Sequence, residues 1–239
     1  MPTRDINLKN DIIFQKVLRG FDFTFHSTWG LFSPREIDEG TELLINNIDI
    51  KETDISLDLG CGYAPIGLII AKLTPHGFVH LVDKDFVAVN YAKKNADMNK
   101  LPNCQIYLSN GFSNIPDIKF DNIVSNIPAK TGKELYWIIM EDAKRYLKPG
   151  GKLYFVFISG LKEFFKRNFK EIFGNYTHIA NSKTYTVGMT INMWMIMSTT
   201  KRLKEVKNLL QNKLGRKTWS IAKPNRGLSK ETYIAKKTI

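Results

Sequence analysis

The chain has 239 residues, 43% of them hydrophobic and 24% charged, which suits one α/β domain with additions and excludes a chain that is disordered throughout. Its net charge of +12 points toward a polyanion, either nucleic acid or an acidic membrane surface, without choosing between them. Two cysteines (Cys61 and Cys104), no CxxC pair and four histidines without ligand spacing argue against a disulfide scaffold and against a metal site.

Taken in chain order, Met1–Asp11 has no apolar core of signal-peptide type. The most apolar runs, Leu153–Ser159 and Met193–Met197, fall far short of the roughly 20 apolar residues that a bilayer span needs. A cytoplasmic protein without a membrane anchor is the expectation. Asn7–Leu18 reads as a helix. Phe23–Ile45 mixes aromatics, a turn and a helix start at Gly40-Thr41. From there strands and helices alternate. Ile55–Leu59 reads as a buried strand, Pro65–Leu73 as a helix, Phe78–Asp83 as a strand and Asp85–Asn99 as a helix with Val89, Ala92 and Ala96 on one face. Cys104–Leu108 and Asp121–Ser125 are short strands. Lys133–Leu147 is a helix stopped by Lys148-Pro149-Gly150-Gly151. Lys152–Ile158 is an apolar strand, and Leu161–Phe173 an amphipathic helix. Tyr185–Thr199 holds two strand-like segments around Gly188, read as a pair joined by a tight turn. Such alternation predicts a doubly wound α/β fold: a mostly parallel sheet covered on both faces, with an antiparallel edge.

The chemistry concentrates where the first strand meets the first helix. Asp58-Leu59-Gly60-Cys61-Gly62 lets the backbone turn sharply and come close to a ligand at a helix N-terminus. The dinucleotide pattern G-x-G-x-x-G needs glycine at 65, and Pro65 stands there. An acid before the loop suits a ligand with an amino group or positive charge better than a pyrophosphate. The second strand ends in Asp83, 23 residues past Gly60, where a carboxylate can accept from both hydroxyls of a ribose. Either acid alone reads equally as a solvated strand end.

These residues resemble the class I S-adenosylmethionine-dependent methyltransferases. Asp58–Gly62, including Cys61, is similar to the first motif of that family, and Asp83 to its ribose-binding acid. The resemblance implies S-adenosylmethionine as cofactor and a Rossmann-like sheet of seven strands. In this family a polar residue after the third strand contacts the adenine amino group. That makes Asn110, in Ser109-Asn110-Gly111-Phe112, the candidate, with an ordinary turn asparagine as the other reading.

Ser125-Asn126-Ile127-Pro128-Ala129 follows the fourth strand and resembles the N-P-P-aromatic motif of methyltransferases that act on planar amino or amide nitrogens. An exocyclic amine delocalised into a ring is a poor nucleophile. The Asn126 side-chain oxygen and the carbonyl of Ile127 can both accept from its NH2, aligning the nitrogen and stabilising charge as it develops. Asn126, Ile127 and Pro128 are therefore the catalytic candidates. Ile127 replaces the first proline, so the loop loses rigidity. Ala129 replaces the aromatic, so nothing at 129 can stack on a base.

A longer resemblance narrows the family. Phe23-Thr24-Phe25, Gly30-Leu31-Phe32-Ser33 and Asp38-Glu39-Gly40-Thr41 look like the entry segment of the small-domain methyltransferases, which include ribosomal RNA guanine-N2 methyltransferases. Ile127–Glu134 is similar to the loop of short members. Thr41 is then a candidate cofactor neighbour, and Phe32 either faces the cofactor or packs in the core. The implied organisation is an entry segment (1–52), a cofactor-binding domain (53–199) and a basic extension (200–239).

That extension carries most of the charge. Lys201–Ile239 holds nine Lys and three Arg against two Glu, ten of the twelve net charges. Lys201–Leu214 has helical apolar spacing with a basic opposite face, and Trp219 and Tyr233 lie among cations beyond it. Cations interleaved with aromatics suit phosphate contacts and base stacking. The reading is a methyltransferase acting on a base amine of RNA, guanine N2 in ribosomal RNA above all, with the extension holding the RNA. A small-molecule or protein-amide acceptor is the alternative, as is a methyltransferase-like protein that binds RNA or a partner without catalysis. Sequence leaves the oligomeric state open.

Overall fold

The structure is a computed structural model that describes residues 11–129, 131–193, 219–222 and 234–237. Strands β1 (Ile12–Leu18) and β2 (Phe21–Ser27) pair antiparallel, with Leu18 opposite Phe21. The turn between them is Arg19-Gly20, at φ 49° and 85°. Positive φ at both central residues is the tight-hairpin geometry that matches strand twist. Over its described part, the helix expected for Asn7–Leu18 is thus a strand. Ile12, Phe14 and Leu18 lie on the inward side while Ile13, Gln15 and Val17 are exposed, a period of two that overrides the helical reading.

Helix α1 (Glu39–Asn47) is capped by the Asp38 carboxylate. Then follow β3 (Ile55–Leu59), α2 (Pro65–Leu73), β4 (Phe78–Asp83), α3 (Phe86–Met98), β5 (Cys104–Leu108), β6 (Phe120–Asn126), α4 (Lys133–Tyr146), β7 (Leu147–Ile158), α5 (Lys162–Phe173), β8 (Thr177–Asn181) and β9 (Tyr185–Ile191). They form a seven-stranded sheet in the order β5-β4-β3-β6-β7-β9-β8. Strands β3 to β7 run parallel, while β9 pairs antiparallel with β7 and with β8. This is the Rossmann-like, mostly parallel sheet with an antiparallel edge.

Strand β7 shows why the apolar run at 153–157 reads as buried throughout. Tyr154 and Val156 enter one core with residues of β1, β2, α1, α2 and α3. Leu153, Phe155 and Phe157 enter the other, with Tyr136 and Met140 of α4 and Phe165 and Phe169 of α5. A parallel sheet buried on both faces needs apolar residues at every position. Phe157 stacks on Phe165 with ring centroids 4.3 Å apart.

The strand pair at the edge differs from its expected position. It is β8 with β9, and Gly188 lies inside β9 rather than in a turn. A Cβ on Gly188 would sit 2.9 Å from the Tyr176 ring and 3.2 Å from the Phe157 ring, so glycine stands there for close packing. Residues 194–199 of that expected pair lie outside the described residues. So does the helix expected over Lys201–Leu214. Within the extension, β10 (Trp219–Ala222) and β11 (Ile234–Lys237) pair antiparallel. Among the described residues no helix is long and apolar enough to cross a membrane.

Candidate active site

The parallel order places the ends of β3, β4, β5 and β6 along one rim, where ligands of open α/β sheets bind. A cavity of about 1030 Å³ opens there. Its wall includes Gly60, Cys61, Gly62, Asp83, Asn110, Thr41, Asn126, Ile127 and Pro128. Segments far apart in sequence therefore meet in one cleft.

At one end lies the glycine loop. Gly60 and Gly62 adopt φ 77° and 57°, a region L side chains rarely enter. The N–H groups of Gly60 and Cys61 both donate to the Val82 carbonyl at 2.8 and 2.9 Å, which ties the loop to β4. Ala64, also left-handed at φ 76°, leads into Pro65 at the start of α2, where a missing N–H costs nothing. Asp83 accepts from Gly62 N–H at 2.9 Å and from Asp85 N–H at 3.0 Å. Its carboxylate is thereby aimed beside the loop.

Asp58 lies beneath the loop rather than in the cavity wall. It is fully buried, and its Oδ2 accepts from Gly67 N–H at 2.7 Å. Its Oδ1 has no hydrogen-bond partner among the described residues. Burial pushes its pKa up to about 7, and the nearby charge of Asp83 adds to the rise. Gly67, the next glycine after the loop, is needed for close packing: a Cβ there would lie 2.2 Å from Leu81 and 2.9 Å from Asp58. The Cys61 thiol donates to Gly62 O at 3.6 Å, and burial pushes its pKa well up, which leaves it a poor nucleophile.

Asn110 forms a turn with Ser113: Asn110 N–H donates to Ser113 Oγ and Ser113 N–H to Asn110 O. Its exposed side chain lines the cavity. Asn110 is thus both a turn residue and part of the cavity wall.

At the other end, Asn126 closes β6. Its Nδ2 donates to the Asp38 carboxylate at 3.1 and 3.3 Å and to Thr41 Oγ1 at 2.9 Å. A carboxylate only accepts, so the amide has one orientation available. Nδ2 faces Asp38, and Oδ1 is turned away from it with no hydrogen bond among the described residues. Asp38 in turn accepts from Gly40 and Thr41 N–H at the start of α1. Thr41 thus acts on Asn126. Ile127 is buried; its N–H donates to Val156 O at 3.0 Å, while its carbonyl accepts from no described residue. The Pro128 carbonyl accepts from the Tyr136 hydroxyl at 2.6 Å and from Thr131 Oγ1 at 3.2 Å. These bonds fix the loop that lacks its first proline.

Sequence reading missed Asp38 and Tyr136 as supports of this site. Asp38 entered only as part of the entry-segment resemblance, and Tyr136 sits inside a helical pattern. Asp38 has no local link to the Asn126 loop, while Tyr136 lies in the helix that follows it. Phe32, offered the core as one of its two places, is instead 67% exposed and lines the cavity. The two glycines, the aimed acid and the buried charge below them fit a ligand that carries hydroxyls and positive charge, as a sulfonium nucleoside does. The loop 58–67 contributes acid and no base, which does not suit a pyrophosphate.

Comparison with known proteins identifies the family and the fold. Residues 22–189 match the family model for the methyltransferase small domain. The chain is 39% identical over 141 residues to an uncharacterized protein of Bacillus subtilis, YbxB, covering 58% of this chain and 70% of that one. It is 36% identical over 170 residues to the ribosomal RNA small subunit methyltransferase C of Haemophilus influenzae, covering 70% of this chain and 50% of that one. The chain thus spans about half the length of that ribosomal RNA methyltransferase. Among solved structures, the 16S rRNA N2 G1207 methyltransferase of T. thermophilus, in complex with AdoMet and guanosine, aligns with a TM-score of 0.69 and 25% identity over 75% of this chain and 50% of that one.

Proposed function

The chain belongs to the methyltransferase small domain family, and from that premise we propose that it methylates the exocyclic amine of an RNA base, guanine N2 in ribosomal RNA. It is an S-adenosylmethionine-dependent methyltransferase. The cofactor supplies an electrophilic methyl group on a sulfonium. The glycine loop and Asp83 would hold it, with Asn110 beside them and the charge of Asp58 below. The single observation that carries the acceptor reading is the orientation of Asn126. Asp38 and Thr41 fix its amide so that Oδ1 is left to accept.

From this the chemistry follows. An incoming NH2 donates to Asn126 Oδ1 and to the Ile127 carbonyl. Two acceptors would hold the nitrogen in one place and favour the positive charge that develops on it as its bond to the methyl group forms and the methyl–sulfur bond breaks, the sulfonium leaving as a neutral thioether. The product amine then gives up one proton to solvent. No strong base is needed before transfer, and positioning supplies most of the effect. The Haemophilus and T. thermophilus relatives, named for ribosomal RNA methylation, support the RNA acceptor, and the second is named for N2 of a guanine.

We assign the entry role to residues 1–52, cofactor binding to 53–199 and RNA holding to the basic extension 200–239. A cytoplasmic location follows from a ribosomal RNA substrate. The test is transfer of tritiated methyl from S-adenosylmethionine into unmodified ribosomal RNA transcripts. Wild type is expected to label the RNA, and Asn126→Ala to lose labelling while keeping cofactor affinity. Label appearing instead in protein or small molecules would replace this acceptor with the alternative one.

A further inference from the structure

The acceptor end of the cavity lacks one element that a planar substrate needs. Asn126 Oδ1 and the Ile127 carbonyl can fix the edge of a base but do not cover its ring. Ala129, where the N-P-P-aromatic pattern has a ring, is exposed and offers only a methyl group. Phe32 lines the same cavity with its side chain largely in solvent. An exposed aromatic in a concave site offers a face on which a planar base can stack.

The segment that carries Phe32 is well held. Leu31 next to it is buried, and its N–H donates to Thr28 O at 3.0 Å. Ser33 takes φ 46°, and its hydroxyl donates to Glu36 O at 2.7 Å. Tyr63, just past the glycine loop, donates its hydroxyl to the carbonyls of Ser33 and Glu36 at 3.2 and 3.1 Å. Five residues past Ser33, Asp38 grips Asn126. The segment is thus bonded to the cofactor end through Tyr63 and to the acceptor end through Asp38, with Phe32 turned outward. Beside it, the Arg35 guanidinium sits 4.3 Å over the Trp29 ring, and Trp29 is 37% exposed. Exposed rings paired with a cation suit a single-stranded nucleic acid, whose bases stack and whose phosphates are anionic.

We propose that Phe32 supplies the stacking face missing at position 129: the acceptor base lies on the Phe32 ring while Asn126 holds its amine, and Trp29 with Arg35 takes the neighbouring nucleotide. This rests on the RNA acceptor reading above and adds the residue that fixes the plane of the base.

Full-length Phe32→Ala, Phe32→Leu and Phe32→Tyr test it on two readouts. One is S-adenosylmethionine affinity by calorimetry; the other is kcat/KM for methyl transfer to unmodified ribosomal RNA transcripts. Cofactor affinity is expected to stay within about twofold of wild type in all three. In the Ala and Leu variants kcat/KM should fall about ten- to a hundredfold and return in Tyr, since a base–aromatic stack is worth about that factor. A drop in cofactor affinity in Phe32→Ala overturns the assignment, because the ring then serves the cofactor. Transfer equal to wild type in Phe32→Ala, or Leu as active as Tyr, overturns it too and leaves the RNA reading standing. Should wild type label no RNA, the RNA reading fails by itself. The ring site is then judged by Phe32→Trp, whose emission must be quenched by guanosine 5′-monophosphate beyond the wild-type quench. Extra quench supports the site, and none overturns it.

Discussion

Asn126 and Asp38 lie 88 residues apart and form one unit. Replacing Asp38 with Asn gives Asn126 a partner that can donate as well as accept, so the amide loses its single orientation. Asp38→Asn is expected to lower kcat about ten- to a hundredfold with cofactor affinity unchanged, in line with the loss of one aligned hydrogen bond in a transition state. Equal loss of kcat and cofactor affinity would instead assign Asp38 to loop structure alone. Asp58 gives a pH prediction. Its folded pKa, about 7, lies above its ordinary 3.8, so between those values the folded chain binds more protons than the unfolded one. The stability it contributes is therefore fully present below about pH 4 and is lost as pH rises to about 7. Against Asp58→Asn, ligand-free wild type should lose relative stability across that window in thermal melts; parallel curves contradict the assignment. Legibility at this scale was uneven. Glycines and acids flanking one turn announce themselves because their spacing is local. Asp38 did not, since it acts on a loop 88 residues away that only the tertiary fold brings near; Tyr136 is eight residues from Pro128, but a helical pattern does not show where its hydroxyl reaches.

Among the elements, β2 shows how the entry segment is held. Asn95 Oδ1 accepts from His26 N–H, and its Nδ2 donates to the carbonyls of His26 and Tyr63. Asn99 makes the matching pair with Thr24 N–H and carbonyl. Two side chains, one on α3 and one at its C-cap, thus satisfy backbone groups that a further strand would otherwise pair. Asn95 is wholly buried. Asn95→Ala leaves three buried groups without that partner and should cost about 3 kcal/mol or more, read by denaturant unfolding; a cost under about 1 kcal/mol would show that the hairpin rests on its apolar side chains alone. The alternating order of strands and helices from Ile55 to Phe173 was legible because each buried run is short and bounded by turn residues. The first hairpin was not, since Ile13 and Val17, four residues apart, fit a helical stripe, and apolar residues stand on both faces of the strand. Its Arg19-Gly20 turn was the signal available. Gly188 misled in the opposite sense, because a glycine kept for packing looks like one kept for a turn.

For the whole molecule, charge and catalysis separate along the sequence. Ten of twelve net charges belong to Lys201–Ile239, while the candidate site residues lie between Trp29 and Tyr136. Removing 201–239 is expected to leave cofactor affinity unchanged and to raise KM for RNA. The slope of log affinity against log salt should shrink by about 0.7 for each phosphate that the shortened chain no longer neutralises. An unchanged slope would free the extension from any role in holding RNA. The central claim is the nature of the acceptor. Its most direct test is mass spectrometry of nucleosides from unmodified ribosomal RNA transcripts incubated with the full chain and S-adenosylmethionine. N2-methylguanosine is expected with wild type and none with Asn126→Ala. Methylated nucleosides absent from wild-type reactions, with the cofactor bound and consumed on another acceptor, would contradict it.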